Sequence, residues 1–134
     1  MPLRYLAAAI LALAPLNAGA NGFYFDPGLT VNPVSATQFE VIEARGEGAR
    51  GMWCAAARYA VYTLGQDKGR LYVDTPRGPS VTQNSGKGVV FTTQAPENPT
   101  QSVSVTVRRA GASLPVIHAL QFCRDYDVFP DNNF

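Results

Sequence analysis

Apolar and polar positions alternate in some stretches of this chain and recur at helical spacing in others, and the two patterns mark out the elements. Residues 38–44 read as a strand, with Phe39 and Val41 on one side and Glu40 on the other. Ile42 breaks the alternation, which predicts a bulge or a strand buried on both faces. Residues 46–51, three of them Gly, read as a flexible connection. Over residues 52–64 the period changes: Trp53, Ala57, Ala60, Val61 and Leu64 form one stripe and predict a helix. Cys54 lies at the stripe's edge, and Gly65 stands where a left-handed residue ends a helix.

Beyond the turn at 66–69, period-two alternation returns. Residues 70–75 read as a strand ended by Pro76-Arg77-Gly78-Pro79. Residues 81–83 are a candidate edge strand, joined through the turn Asn84-Ser85-Gly86-Lys87 to a strand over 88–94. Residues 102–109 alternate most cleanly, with Val103, Val105 and Val107 on one side and Ser102, Ser104, Thr106 and Arg108 on the other. Ser113 is placed to cap a second helix with Pro115 in its first turn. That helix carries Val116, Ile117, Leu120 and Cys123 on its apolar face.

The predicted fold is therefore α+β: a small antiparallel sheet of four to five strands with two helices packed on one face, in the order β-α-β-β-β-α. A single domain is expected over residues 37–126. It is preceded by an extended arm over 21–36, where Asp26-Pro27-Gly28 and Asn32-Pro33 break regular structure, and followed by an irregular tail over 127–134.

The first twenty residues are read differently. Arg4 precedes an apolar run from Tyr5 to Leu16, and Ala18-Gly19-Ala20 supplies the small residues of a cleavage site. This predicts a cleaved secretory signal peptide over 1–20, a run too short to span a bilayer, and an exported protein, periplasmic or secreted. The chain has no other apolar run of spanning length. Two cysteines remain, Cys54 and Cys123, and in an oxidising compartment they are expected to form one disulfide between the two helices.

Arg4 leaves with the leader, so ten Lys/Arg balance ten Asp/Glu. That balance gives no electrostatic basis for a nucleic-acid partner. His118 is the only histidine. With the cysteines paired, a zinc site lacks ligands, and no cofactor is expected. The tail carboxylates Asp125, Asp127 and Asp131 lack the Gly turn of a calcium loop.

Two aromatic arms (Phe23, Tyr24 and Phe25; Phe129 and Phe134), with Tyr59 and Tyr62 on the outer side of the first helix, form the candidate contact surface. The leading expectation is an exported binding module acting on another envelope or secreted protein as an inhibitor, an immunity-type protector or an accessory subunit. An alternative is a small secreted enzyme whose site is assembled around His118 with Asp125 or Glu43. A third is a structural envelope protein. The sequence leaves the oligomeric state open.

Overall fold

The computed structural model describes residues 23–24, 28–101 and 105–124. Among these, the elements follow in the order β1 (Phe23–Tyr24), β2 (Thr30–Pro33), β3 (Gln38–Ile42), α1 (Gly48–Tyr62), β4 (Arg70–Pro79), β5 (Lys87–Thr92), β6 (Thr100–Gln101), β7 (Ala112–Pro115) and α2 (Val116–Gln121). One sheet holds the strands in the order β1-β2-β3-β5-β4-β7-β6. Neighbours run antiparallel except β6, which lies parallel to β7. Five strands have four residues or more, as the α+β reading expects; β1 and β6 are two-residue pairings at the edges.

Register fixes which side chains share a face, because paired residues in an antiparallel ladder point the same way. Val31 pairs with Val41 and Val41 with Val89. Phe91 pairs with both Phe39 and Val73, and Leu71 pairs with Leu114. These residues form one buried cluster with Trp53, Ala57 and Ala60 of α1 and Val116 and Ala119 of α2. Both helices therefore cover this face. The Trp53 ring meets Phe91 edge-on with centroids 4.9 Å apart, and Tyr59 lies against Phe39 at 4.4 Å. The opposite face carries Asn32, Glu40, Ile42, Val90, Thr92 and Tyr72.

The expected disulfide is present. Cys54 and Cys123 are bonded, with Cα atoms 5.0 Å apart and both residues buried. The bond ties the first half of α1 to the residue two positions beyond α2.

Several boundaries differ from the sequence reading, each for a local reason. The stretch expected as an arm contributes β2 to the sheet, with Leu29 and Val31 fully buried. Helix α1 begins at Gly48, four residues before Met52, and takes in Gly51, which is buried. Strand β4 runs on through Pro76 to Pro79, with two register irregularities after Val73. A proline has no N–H for a ladder and is tolerated at such a shift. The Arg77 N–H donates to the Val107 carbonyl at 2.8 Å instead of to β5. Residues 81–83 form no strand and belong to a loop.

The last two corrections concern the C-terminal third. Residues 105–109, expected to continue a strand from 102, are not in a ladder; 102–104 lie outside the described residues. Val107 is still buried, but the Arg108 N–H bonds the Thr106 hydroxyl at 3.1 Å, a local side-chain contact in place of strand pairing. Ser113 does not cap a helix. Pairing of Leu71 with Leu114 holds this segment extended, and the proline at 115 disfavours helical geometry at Leu114. Pro115 itself (φ −59°, ψ 143°) precedes α2, and the Ser113 hydroxyl accepts a bond from Arg70 Nε at 3.1 Å.

Candidate functional site

The polar groups that the fold organises most tightly lie on the face away from the helices, where β3 meets the β4–β5 hairpin. Glu40 is the centre. It sits in mid-β3 between Phe39 and Val41, so the alternation that buries those two sends Glu40 to the other face. It is nonetheless only 1% exposed. The loop over residues 80–86 folds back across it and brings four donors to its carboxylate. Those are the Ser80 hydroxyl at 2.9 Å, the Val81 N–H at 2.9 Å, the Thr82 N–H at 3.0 Å and the Thr82 hydroxyl.

The loop is also closed on itself. The Ser80 N–H donates to the Gly86 carbonyl at 3.0 Å, and the Gln83 N–H donates to the Ser80 hydroxyl at 3.0 Å. Asn32 Nδ2 on β2 donates to the Thr82 hydroxyl at 2.9 Å, tying the loop to a second strand. The carboxylate needs room, and Gly88 provides it. A Cβ at that position would lie 2.3 Å from Glu40 Oε2 and 2.8 Å from its Cδ.

Three residues further along, Glu43 grips the base of the same hairpin. Arg77 Nε donates at 3.1 and 2.9 Å to its two oxygens, and Arg77 Nη2 donates to Oε1 at 2.8 Å. The two side chains are about a quarter exposed, at 28% and 27%. The Arg77 hydrogen bonds hold the Glu43 carboxyl below its ordinary value near 4.5, against an opposing push from burial. The charges of Arg77, Lys87 and Arg108 add to the lowering. Behind this ion pair lies a pocket of about 240 Å³ between the first turn of α1 and the 105–108 segment. Met52, Val105 and Val107 give it an apolar part, and Glu43, Arg77 and Arg108 a charged one.

Of the residues expected to form the contact surface, Tyr59 and Tyr62 are the two whose side chains are described. Tyr59 is not on the outer side of its helix: it is 4% exposed, faces the sheet, and burial pushes its hydroxyl up in pKa. The helical stripe continues through position 59, between Ala56 and Ala60 on the buried side, so its ring packs on Phe39. Tyr62 is 71% exposed at the end of α1. The backbone of Phe23 and Tyr24 pairs with Val31 and Thr30 as β1. Phe25, Phe129 and Phe134 lie outside the described residues.

His118 is exposed on α2 with Phe122 for a ring neighbour at 5.7 Å. Of the carboxylates considered with it, Glu43 is engaged by Arg77, and Asp125 lies outside the described residues. Sequence reasoning missed Glu40 and the loop above it. The available signal was a lone acid inside an apolar strand together with a glycine at the start of the neighbouring strand. The chain matches no protein-family model, no curated protein and no solved structure, so the site rests on its own geometry.

Proposed function

We propose that this chain is an exported binding module that acts on another protein of the envelope or the secreted fraction. The observation that carries the reading is how its carboxylates are used. Glu40 and Glu43, the acids of β3 and the residue after it, both hold the β4–β5 hairpin in place, one under its loop and one at its base. A carboxylate already accepting a bidentate guanidinium is stabilised as the anion and is a weak proton acceptor. Groups suited to acid–base work thus serve to fix a surface, which favours recognition over the alternative of an enzyme built around His118 and Glu43.

Export is supported by the leader over residues 1–20 and by a buried disulfide, a bond characteristic of oxidising compartments. Among the described residues no helix is long and apolar enough to cross a membrane.

The test is made in the source cells. A tagged full-length chain is expressed, the cells are fractionated, and the product's N-terminus is determined by mass spectrometry. The expected product begins at Asn21 and crosslinks in stoichiometric amount to one other exported protein. Retention of residues 1–20 in the cytosolic fraction overturns export. Mature protein that crosslinks to nothing overturns binding and favours a purely structural role in the envelope.

A further inference from the structure

We infer that the pocket between the first turn of α1 and the 105–108 segment binds a small amphipathic carboxylate, with the head group at Arg108 and the apolar tail against Met52, Val105 and Val107. The inference goes beyond the protein-binding reading and does not depend on it.

The pocket divides by depth. Met52 and Val107 are buried in the core cluster and Val105 packs against it, so the apolar part is the inner part. Gly48 and Ala49 also line it and bring no side chain larger than a methyl. The cations stand toward solvent: the Arg77 side chain is partly exposed and Arg108 is exposed. A ligand filling this space meets aliphatic carbon within and guanidinium at the mouth. A mainly apolar lining with a few placed polar groups is the common form of a small-molecule site. The volume, about 240 Å³, lies below the roughly 300–1,000 Å³ usual for drug-sized ligands, so the occupant is a chain of a few carbons.

Charge sets the head group. Arg77 and Arg108 share the lining with a single carboxylate, Glu43, which leaves one positive charge in excess. Arg77 is committed to Glu43 through Nε and Nη2. Arg108 is close enough for its charge to help lower the Glu43 carboxyl, but among the described residues it forms no ion pair. Its backbone is held by the bond from its N–H to the Thr106 hydroxyl, another lining residue. A guanidinium in this position can donate two parallel bonds to a carboxylate. One negative charge balances the lining, whereas a doubly charged group would place its excess beside Glu43. An inorganic anion would leave the apolar wall unused, and a cation would meet two guanidiniums.

The experiment titrates the oxidised, isotope-labelled protein with sodium hexanoate and follows amide chemical shifts. Butanoate, hexan-1-ol, hexylammonium and inorganic phosphate are titrated in parallel. The expected result is saturable binding of hexanoate, with shifts centred on Ala49, Met52, Val107 and Arg108. Affinity should rise about fourfold for each methylene between butanoate and hexanoate. Hexan-1-ol and hexylammonium should bind at least about tenfold more weakly, and Arg108→Gln should weaken hexanoate by about tenfold or more. The same variant should leave hexan-1-ol unchanged. Arg108 is exposed, so its replacement keeps the fold and the comparison remains readable.

Hexanoate shifts that fail to saturate, or that centre away from these residues, overturn the site. Hexan-1-ol binding as tightly as hexanoate overturns the carboxylate as the recognised group. Phosphate binding as tightly as hexanoate overturns the role of the apolar wall. Unchanged hexanoate affinity in Arg108→Gln overturns the placement of the head group. None of these outcomes bears on whether the chain also binds a protein.

Discussion

Removing a carboxylate from water costs several kcal/mol unless hydrogen bonds replace the lost hydration. Glu40 has four such bonds, and they define what each neighbour must be. Gly88 is the clearest case. Its φ is unexceptional; it is glycine because the carboxylate occupies the volume where its Cβ would stand. The acid cannot swing aside without releasing donors on Ser80, Val81 and Thr82. Gly88→Ala should therefore destabilise the fold by about 1–3 kcal/mol, the range for overpacking a close-fitting site. Urea denaturation should show a lower midpoint at unchanged slope. In a Glu40→Ala background the clash is gone, and the same substitution should become nearly neutral. An equal penalty in both backgrounds would locate the strain elsewhere than at the Glu40 contact. The alternation in 38–44 correctly sent Glu40 to the face opposite Phe39. Nothing in it showed that a loop forty residues away would cover that face.

Elements that make their own local order were easier to read than those shaped by distant partners. Helix α1 follows its stripe of Trp53, Ala57 and Ala60, and β5 follows Val89 and Phe91, because each pattern is enforced by one buried face. The valines of 105–107 misled for the same reason. Their alternation reports which side chains turn inward, and Val107 does, but burial does not require a ladder. The β4–β5 hairpin shows the opposite case, in which prolines suggest an end and pairing carries on. Its base is held by Arg77 and Glu43, and this contact has a pH signature. The folded Glu43 carboxyl lies below its ordinary value, so its contribution is fully present above the unfolded-chain value near 4.5. The contribution is lost as pH falls through the lowered folded value. Arg77→Met should lower the melting temperature at pH 7 and have a smaller effect at pH 3, where Glu43 is protonated in the unfolded chain. The measurement is a set of thermal melts from pH 3 to pH 7 for the two proteins. A constant difference across that range would assign the effect of Arg77 to packing of its aliphatic stem, with no share for its charge.

At the scale of the whole molecule, the Cys54–Cys123 bond links the two ends of the fold's helical layer across 69 residues. Helix α2 has six residues, too few to persist without tertiary support, and it begins directly from β7. The bond anchors its far end. Closing a loop of this length restricts the unfolded chain by about 4 kcal/mol on the entropy model, a large part of the roughly 5–15 kcal/mol that holds typical domains folded. Reduction should therefore lower the melting temperature by about 10–20 °C, and native protein should bind no alkylating reagent at either cysteine. The fluorescence of Trp53, the single tryptophan, buried beside Cys54, reports the outcome directly. Two comparisons separate the restriction from local packing. If the bond acts mainly on the unfolded chain, reduced wild type and the Cys54→Ala/Cys123→Ala variant lose nearly the same stability. Both then keep the buried emission of Trp53 below their midpoints. If the bond instead holds α2 in place, emission shifts on reduction well before global unfolding, and the exchange of α2 amides rises with it. Equal stability of oxidised and reduced protein would remove the bond from any account of why this fold persists.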